Sequence, residues 1–231
     1  MKSKVQTQER FEGFSKAGLQ FLRDLAKHND RSWFQPRKPT YETELLEPLQ
    51  ALVADATAAM RKAKIALAAD PTRPSFRIYR DIRFSRDKSP YKTNLGAYLP
   101  PGGRRGEQGG IYVHIQPKQS FMAVGYYELD KDRLMRWRTA MAKTPKGFQA
   151  MLAALKRNGV SLSEHHEDLK RMPRGFEAYA DSPTAPYFRR TSFMVSERLS
   201  DADVGSKRVI ARMVALARKA KPFLAYGEQI G

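Results

Sequence analysis

At 231 residues the chain has the length of one large domain or two small ones, and no linker-like stretch separates two self-sufficient cores, so a single domain is expected. It contains no cysteine, which excludes disulfides, thiolate metal sites and thiol catalysis within this sequence. Lys and Arg number 42 against 24 Asp and Glu, a formal charge of +18, which implies a positive surface and attraction to polyanions.

No apolar run approaches the roughly 18 residues a membrane span needs. The stretch from Met1 to Arg10 is polar and lacks the apolar core of a signal peptide. A cytoplasmic protein with no membrane partner and a frayed N-terminus over residues 1–10 is expected, followed by one domain over 11–231.

Ser15 is placed to cap a helix running to about His28, with Leu19, Leu22, Leu25 and Ala26 on its inner face. Trp33 and Phe34 follow Asn29-Asp30 and read as core aromatics rather than a stacking site. A second helical pattern starts near Thr40, with Leu45, Leu49, Leu52, Val53, Ala56 and Met60 at helical spacing. Pro48 within it starts a new helix or kinks the old one. Asp70-Pro71-Thr72-Arg73-Pro74 reads as a rigid turn.

The period then changes. Phe76, Ile78, Ile82 and Phe84 share one parity, and Arg77, Tyr79, Asp81 and Arg83 the other, which predicts a half-buried strand over 76–84. Residues 94–99, 111–115 and 121–127 read as further strands, the last two as a hairpin, with a basic Gly-rich loop carrying Arg104 and Arg105 between the first and second. Turn-joined strands without a helical crossover predict an antiparallel sheet of about four or more strands. Asp130 caps a helix carrying Leu134, Trp137 and Met141. Thr144-Pro145 opens another, which stops at Asn158-Gly159. Residues 160–198 read as loop-rich with aromatic anchors. Ser200 begins a final helix with Val209, Ile210, Met213, Val214 and Ala217 inward. Helices, strands, then helices specify an α+β fold, the sheet packed against helices from the N- and C-terminal thirds, mainly on one face.

Residues 77–93 hold the densest chemistry: six basic side chains, two aspartates, three Ser/Thr hydroxyls and two tyrosines. Forked and point cations at this density suit a phosphate or carboxylate. Arg77, Arg80, Arg83, Ser85, Lys88, Tyr91, Lys92 and Thr93 are the candidate ligand-binding residues, with Arg171 and Arg174 as a second basic segment able to close a pocket if it folds over the sheet. Arg80 shares the inward parity, so it floors an anion pocket, makes a structural ion pair with a carboxylate on a neighbouring helix, or turns outward at a bulge. The 85–93 turn cradles an oxyanion or is simply a solvated basic turn in which Asp87 bonds its own backbone.

Asp81 and His114 are the candidates for catalysis, His114 as a general base oriented by an acid such as Asp81, although a hydrogen-bonded structural histidine is the commoner case. His28, His114, His165 and His166 form no metal motif, so no metal is expected. P-loop, dinucleotide and nucleophile-elbow fingerprints are absent, so no cofactor is expected.

Several segments resemble a bacterial family catalogued as domain of unknown function 2461. They are Asn29-Asp30-Arg31-Ser32-Trp33-Phe34, the run from Arg77 to Thr93, Gly110-Ile111-Tyr112-Val113-His114-Ile115, Gly125-Tyr126-Tyr127, and Leu169-Lys170-Arg171-Met172-Pro173-Arg174-Gly175-Phe176. The likeness spans roughly 11 to 226 and implies one domain with a central site and no assigned reaction. His28 stands where the family usually has Asn, and Ala185-Pro186-Tyr187-Phe188-Arg189-Arg190 replaces a Leu- and Lys-rich stretch. Three functions follow as expectations. The first is anion binding through the basic run, the partner being nucleic acid or a phosphorylated small molecule. The second is an enzyme acting on a phosphorylated or carboxylated small molecule, and the third a basic docking protein for an acidic partner.

Overall fold

The structure, a computed structural model, describes residues 10–72, 77–104, 106–164 and 168–230. The expected fraying of residues 1–9 and the readings placed on Arg73, Pro74, Phe76, Arg105, His165 and His166 lie outside the described residues.

Ser15 accepts a hydrogen bond from the Gly18 N–H (2.9 Å) and caps α1, Lys16–Lys27. Leu19, Leu22 and Leu25 face the core, joined by Phe21, whereas Ala26 is exposed: the apolar stripe turns through Phe21 and leaves position 26 outside it. Asp30 caps α2 (Arg31–Phe34) by accepting from the Trp33 N–H. The chain then stays coiled through a 3-10 turn (Gln35–Arg37), α3 (Lys38–Tyr41), a π turn (Glu42–Leu46) and α4 (Glu47–Lys62). Pro48 falls in the first turn of α4, where its missing N–H costs little, directly after the wider π turn. Leu45, Leu49, Leu52, Val53, Ala56 and Met60 are all buried. Burying each of the larger ones contributes about 1.5–3 kcal/mol.

Four antiparallel strands follow in the order β1 (Leu95–Leu99), β2 (Gly110–Ile115), β3 (Phe121–Tyr126) and β4 (Phe193–Arg198). Alternation places Leu95, Ala97, Leu99, Ile111, Val113 and Ile115 on one buried face, against which α4 and the C-terminal helix Arg208–Lys219 pack. Of the strand expected over 76–84, the described residues 77–84 form none. Tyr79 and Tyr91 form an isolated antiparallel bridge, and residues 80–90 loop out irregularly between its two sides. The fourth strand comes instead from 193–198, within the stretch expected to be loop-rich.

Asp130 caps α5 (Lys131–Lys143) through the Arg133 N–H (2.8 Å), and α6 (Pro145–Arg157) ends at Gly159, whose φ of 72° is cheap only for glycine. A short α7 (Ala185–Phe188) precedes β4. The expected final helix is three: α8 (Asp201–Val204), closed by a Ser200–Asp203 capping box, then α9 (Arg208–Lys219) and α10 (Lys221–Ile230). Val209, Met213 and Ala217 of α9 are buried, whereas Ile210 and Val214 are half-buried at the edge of the stripe.

The chain's two thirds interlock. The Phe14 N–H donates to the Val204 carbonyl (2.9 Å), and Arg23 pairs with Asp201 (2.8 Å). The fold is a single α+β domain with helices from both thirds on one side of an antiparallel sheet. Among the described residues no helix is long and apolar enough to cross a membrane.

Candidate functional site

The segment 77–92 is held at its root. The Arg80 N–H donates to the Pro90 carbonyl (2.9 Å) and the Lys92 N–H to the Ile78 carbonyl (2.7 Å), closing the loop like a clasp. Asn29 grips it from outside: its Nδ2 donates to the Tyr91 carbonyl (2.9 Å), and the Tyr91 N–H donates to Asn29 Oδ1 (3.0 Å). Tyr91 is 1 % exposed and stacks on Phe34 with ring centroids 4.1 Å apart. It is therefore part of the core, with no surface to offer a ligand. Phe34 is core as expected, and Trp33 is half-buried against Phe21 and His28.

Much of the loop's charge is spent internally. Arg80 pairs with Asp87 in the same loop, not with a helix, and Arg83 makes a two-pronged pair with Asp81 (3.0 and 2.7 Å). Lys88 donates to the Ile82 carbonyl (3.0 Å). Asp87 also accepts from the Ser89 N–H (2.9 Å), so the turn bonds its own backbone. The Arg83 guanidinium holds the Asp81 carboxyl below the usual range. The Ser89 hydrogen bonds, with Arg80 beside them, do the same for Asp87. Burial lowers the Lys92 ammonium. Arg77 is exposed, Ser85 and Thr93 are half-buried, and Phe84 is 95 % exposed at the far reach of the loop.

Arg171 and Arg174 are exposed and, among the described residues, carry no ion pair. Their segment is held against residues 188–190, which lead into β4, through the Leu169 N–H to the Arg189 carbonyl (2.8 Å) and Phe176 on Phe188. The basic run leads into β1, at the opposite edge of the sheet. Among the described residues no hydrogen bond or ion pair joins the two basic segments. Arg190, in the stretch that departs from the family pattern, is buried over the Tyr187 ring and faces Asp168 at 4.0 Å.

The more distinctive surface is the sheet face away from the helices. The register lays it out in rows. Gly96, His114, Phe121 and Arg198 lie side by side across all four strands, and Tyr98, Tyr112, Ala123 and Ser196 form the next row. Gly110, Gly125 and Met194 continue the pattern. The glycines matter because the tyrosine rings lie across them. A Cβ on Gly96 would come within 2.6 Å of Tyr112 Oη, and one on Gly110 within 2.7 Å of a Tyr98 ring carbon. Rings lowered onto glycines leave a concavity of about 670 Å³, lined by Tyr98, Tyr112, His114, Phe121, Tyr127 and Met194 and walled by the 100–110 loop.

The polar groups here are fixed. The Tyr98 hydroxyl donates to the Glu107 carbonyl (3.0 Å) and accepts from the Gly110 N–H (2.9 Å). His114 Nδ1 lies 3.1 Å from Tyr112 Oη and 3.4 Å from Asn94 Nδ2, and its Nε2 lies 3.0 Å from Gln116 Oε1. An amide oxygen can only accept, so Nε2 carries a proton; the Asn94 amide nitrogen can only donate, so Nδ1 is the acceptor and this arrangement suits the neutral imidazole. Burial lowers the His114 pKa, and burial pushes the Tyr112 hydroxyl up to about 12. The imidazole also stacks on Phe121 at 4.8 Å.

Asp81 and His114 are not joined: Asp81 is bonded to Arg83, and no acid orients the imidazole among the described residues. Among those residues no group of three His, Asp or Glu side chains is placed to hold a metal ion. Tyr98, Tyr112, Phe121, Tyr127, Met194 and Arg198 were not singled out from the sequence. The signal was present in the off-core parity of three strands, where aromatics stand at positions that alternation exposes.

The family model for a conserved hypothetical protein, DUF2461, matches residues 17–226. The chain belongs to the DUF2461 family. That match takes in the basic run, the aromatic sheet face and the helices behind it, so both candidate surfaces are part of the DUF2461 domain. No curated protein and no solved structure matches the chain.

Proposed function

We propose that this DUF2461 protein binds a ligand that joins a planar aromatic ring to phosphate, as a nucleotide or single-stranded nucleic acid does, on the outer face of its sheet. The observation that carries this reading is the concavity over Tyr98, Tyr112, His114 and Phe121, whose volume falls within the range of small-molecule sites. Aromatic rings lowered onto a sheet present π-faces on which bases stack. A cation stands at the β4 edge of the platform, and the β1 edge follows the basic run in sequence. Arg198 sits beside Phe121 on β4, and Asn94, bonded to His114, follows directly on the basic run at β1. The overall charge of +18 favours a phosphate-bearing partner. The enzyme reading has less support, because both His114 nitrogens already hold partners and a general base needs a free one.

The test is fluorescence anisotropy with labelled single-stranded RNA and DNA at low and moderate salt, with mononucleotides as competitors. Binding should weaken steeply with salt, and less steeply in Lys88→Ala/Lys92→Ala. Tyr112→Ala and Phe121→Ala should each cost about 1–3 kcal/mol, roughly a 5- to 150-fold loss. Competition by mononucleotides would identify the single nucleotide as the recognised unit. Absence of binding at low salt, or binding indifferent to Tyr112 and Phe121, would remove the sheet face from consideration.

A further inference from the structure

Behind the 100–110 loop lies a second cavity of about 380 Å³, on the other side of Glu107 and Gln108 from the sheet-face concavity. Its floor is apolar, formed by Trp137, Leu129, Leu224 and the ring of Tyr126. Its rim is cationic: Lys64 at the end of α4, Arg104 on the Gly-rich loop, Arg133 on α5 and Lys221 at the start of α10. Two carboxylates, Glu107 and Glu228, also line it, so cations outnumber acids there by four to two. Among the described residues no acid pairs with the side chain of Lys64, Arg104 or Lys221. Arg133 is held by Gln108 Oε1 (3.1 Å) and lies 3.8 Å from Asp130.

Lys64 adds an independent observation. Helix α4 ends in a Schellman motif, with the Ile65 N–H donating to the Met60 carbonyl (2.9 Å) and the Lys64 N–H to the Arg61 carbonyl (3.0 Å). The residue at the left-handed position of that motif is ordinarily glycine, yet here it is a lysine with φ of 56°. A β-carbon is strained at this position, and the side chain it carries lines the cavity.

We propose that this cavity is a second binding site, distinct from the sheet face, for a small amphipathic anion. The ligand's aromatic or short aliphatic body lies over Trp137, Leu129 and Leu224. Its carboxylate, sulfonate or phosphate sits at the rim between Lys64, Arg104 and Lys221. Four helices or loops from distant parts of the chain converge there, so the site exists only in the folded domain.

The probe is anilinonaphthalene sulfonate, read by its fluorescence gain, with phenylnaphthylamine as the same ring system without the sulfonate. We expect the sulfonate to bind the full chain at one site and the uncharged analogue to bind more weakly. Lys64→Gly and Arg104→Ala should each weaken the sulfonate about tenfold, the size of one lost charge-assisted contact. Ala225→Trp, which fills the cavity, should abolish binding, and Phe121→Ala on the sheet face should leave it unchanged. Lys64→Gly relieves the left-handed strain, so its melting temperature should rise by about 2–4 °C while its affinity falls. That opposition separates lost binding from lost folding. Absence of sulfonate binding, equal affinity for the two probes, affinity indifferent to Lys64→Gly and Arg104→Ala, or loss of binding on Phe121→Ala instead would overturn the proposal.

Discussion

His114 shows how one side chain takes its properties from its neighbours. Its ring is bonded at both nitrogens and stacked on Phe121, and burial lowers its pKa below the usual imidazole value. The unfolded chain therefore binds a proton more readily than the folded one. The stability this contributes is fully present above the unfolded value of about 6.5 and is lost as pH falls through the folded pKa. Urea unfolding on the acid side of that value should show wild-type stability falling with pH, and His114→Gln should flatten the slope. Equal slopes would mean that the histidine titrates alike in both states. Asn29 is an equally local case. Its amide copies the hydrogen-bonding pattern of a strand and so fixes the Tyr91 backbone. The sequence shows an Asn before a helix cap, which says nothing of a partner 62 residues away.

The run 77–92 marks where element-scale reading failed. Alternation of Ile78, Ile82 and Phe84 with charged residues is a strand pattern, but a strand also needs a neighbour with free backbone groups. The edge of β1 begins only at Leu95, and the run pairs with itself through Tyr79 and Tyr91. Salt bridges from Arg80 to Asp87 and from Arg83 to Asp81 then hold the loop in shape without a sheet. The two architectures predict different mutants. Phe84 is 95 % exposed, so Phe84→Ala should change stability by less than about 0.5 kcal/mol. Ile78 is buried, so Ile78→Ala should cost about 2–5 kcal/mol. Chemical denaturation of both variants checks this, and a large loss at Phe84 would restore the inward-facing strand. Strand β4 was missed for the converse reason. Its period is masked because Glu197 lies on the core parity, where Arg212 of α9 reaches it to form an ion pair.

At the scale of the whole molecule, chain ends and middle form one unit. Phe11 bonds Asp55 (2.9 Å), Phe14 bonds Val204, and Asp201 accepts from both Arg23 and the Lys118 N–H. Loss of either helical third would expose the same sheet face, so unfolding should be one cooperative step. Far-UV circular dichroism and tryptophan fluorescence should give coincident urea transitions; two separated midpoints would divide the chain into independent units. The caps at Ser15, Asp130 and Ser200, the buried face of α4, strands β1 to β3 and the α+β class were legible in the sequence, because each depends on side chains within a turn or a strand of one another. The excess of positive charge was legible too, being a sum over residues. Where that charge becomes useful was decided only by the tertiary structure. Arginines of the basic run found aspartates within their own loop, which leaves them partly neutralised. Tyrosines from separate strands came to rest over glycines of their neighbours. Lysines and arginines from the end of α4, the 100–110 loop, α5 and α10 met around one cavity. Side-chain chemistry is carried by the sequence, but a site depends on which distant groups meet, and that is fixed by strand register and by the packing of helices on one face.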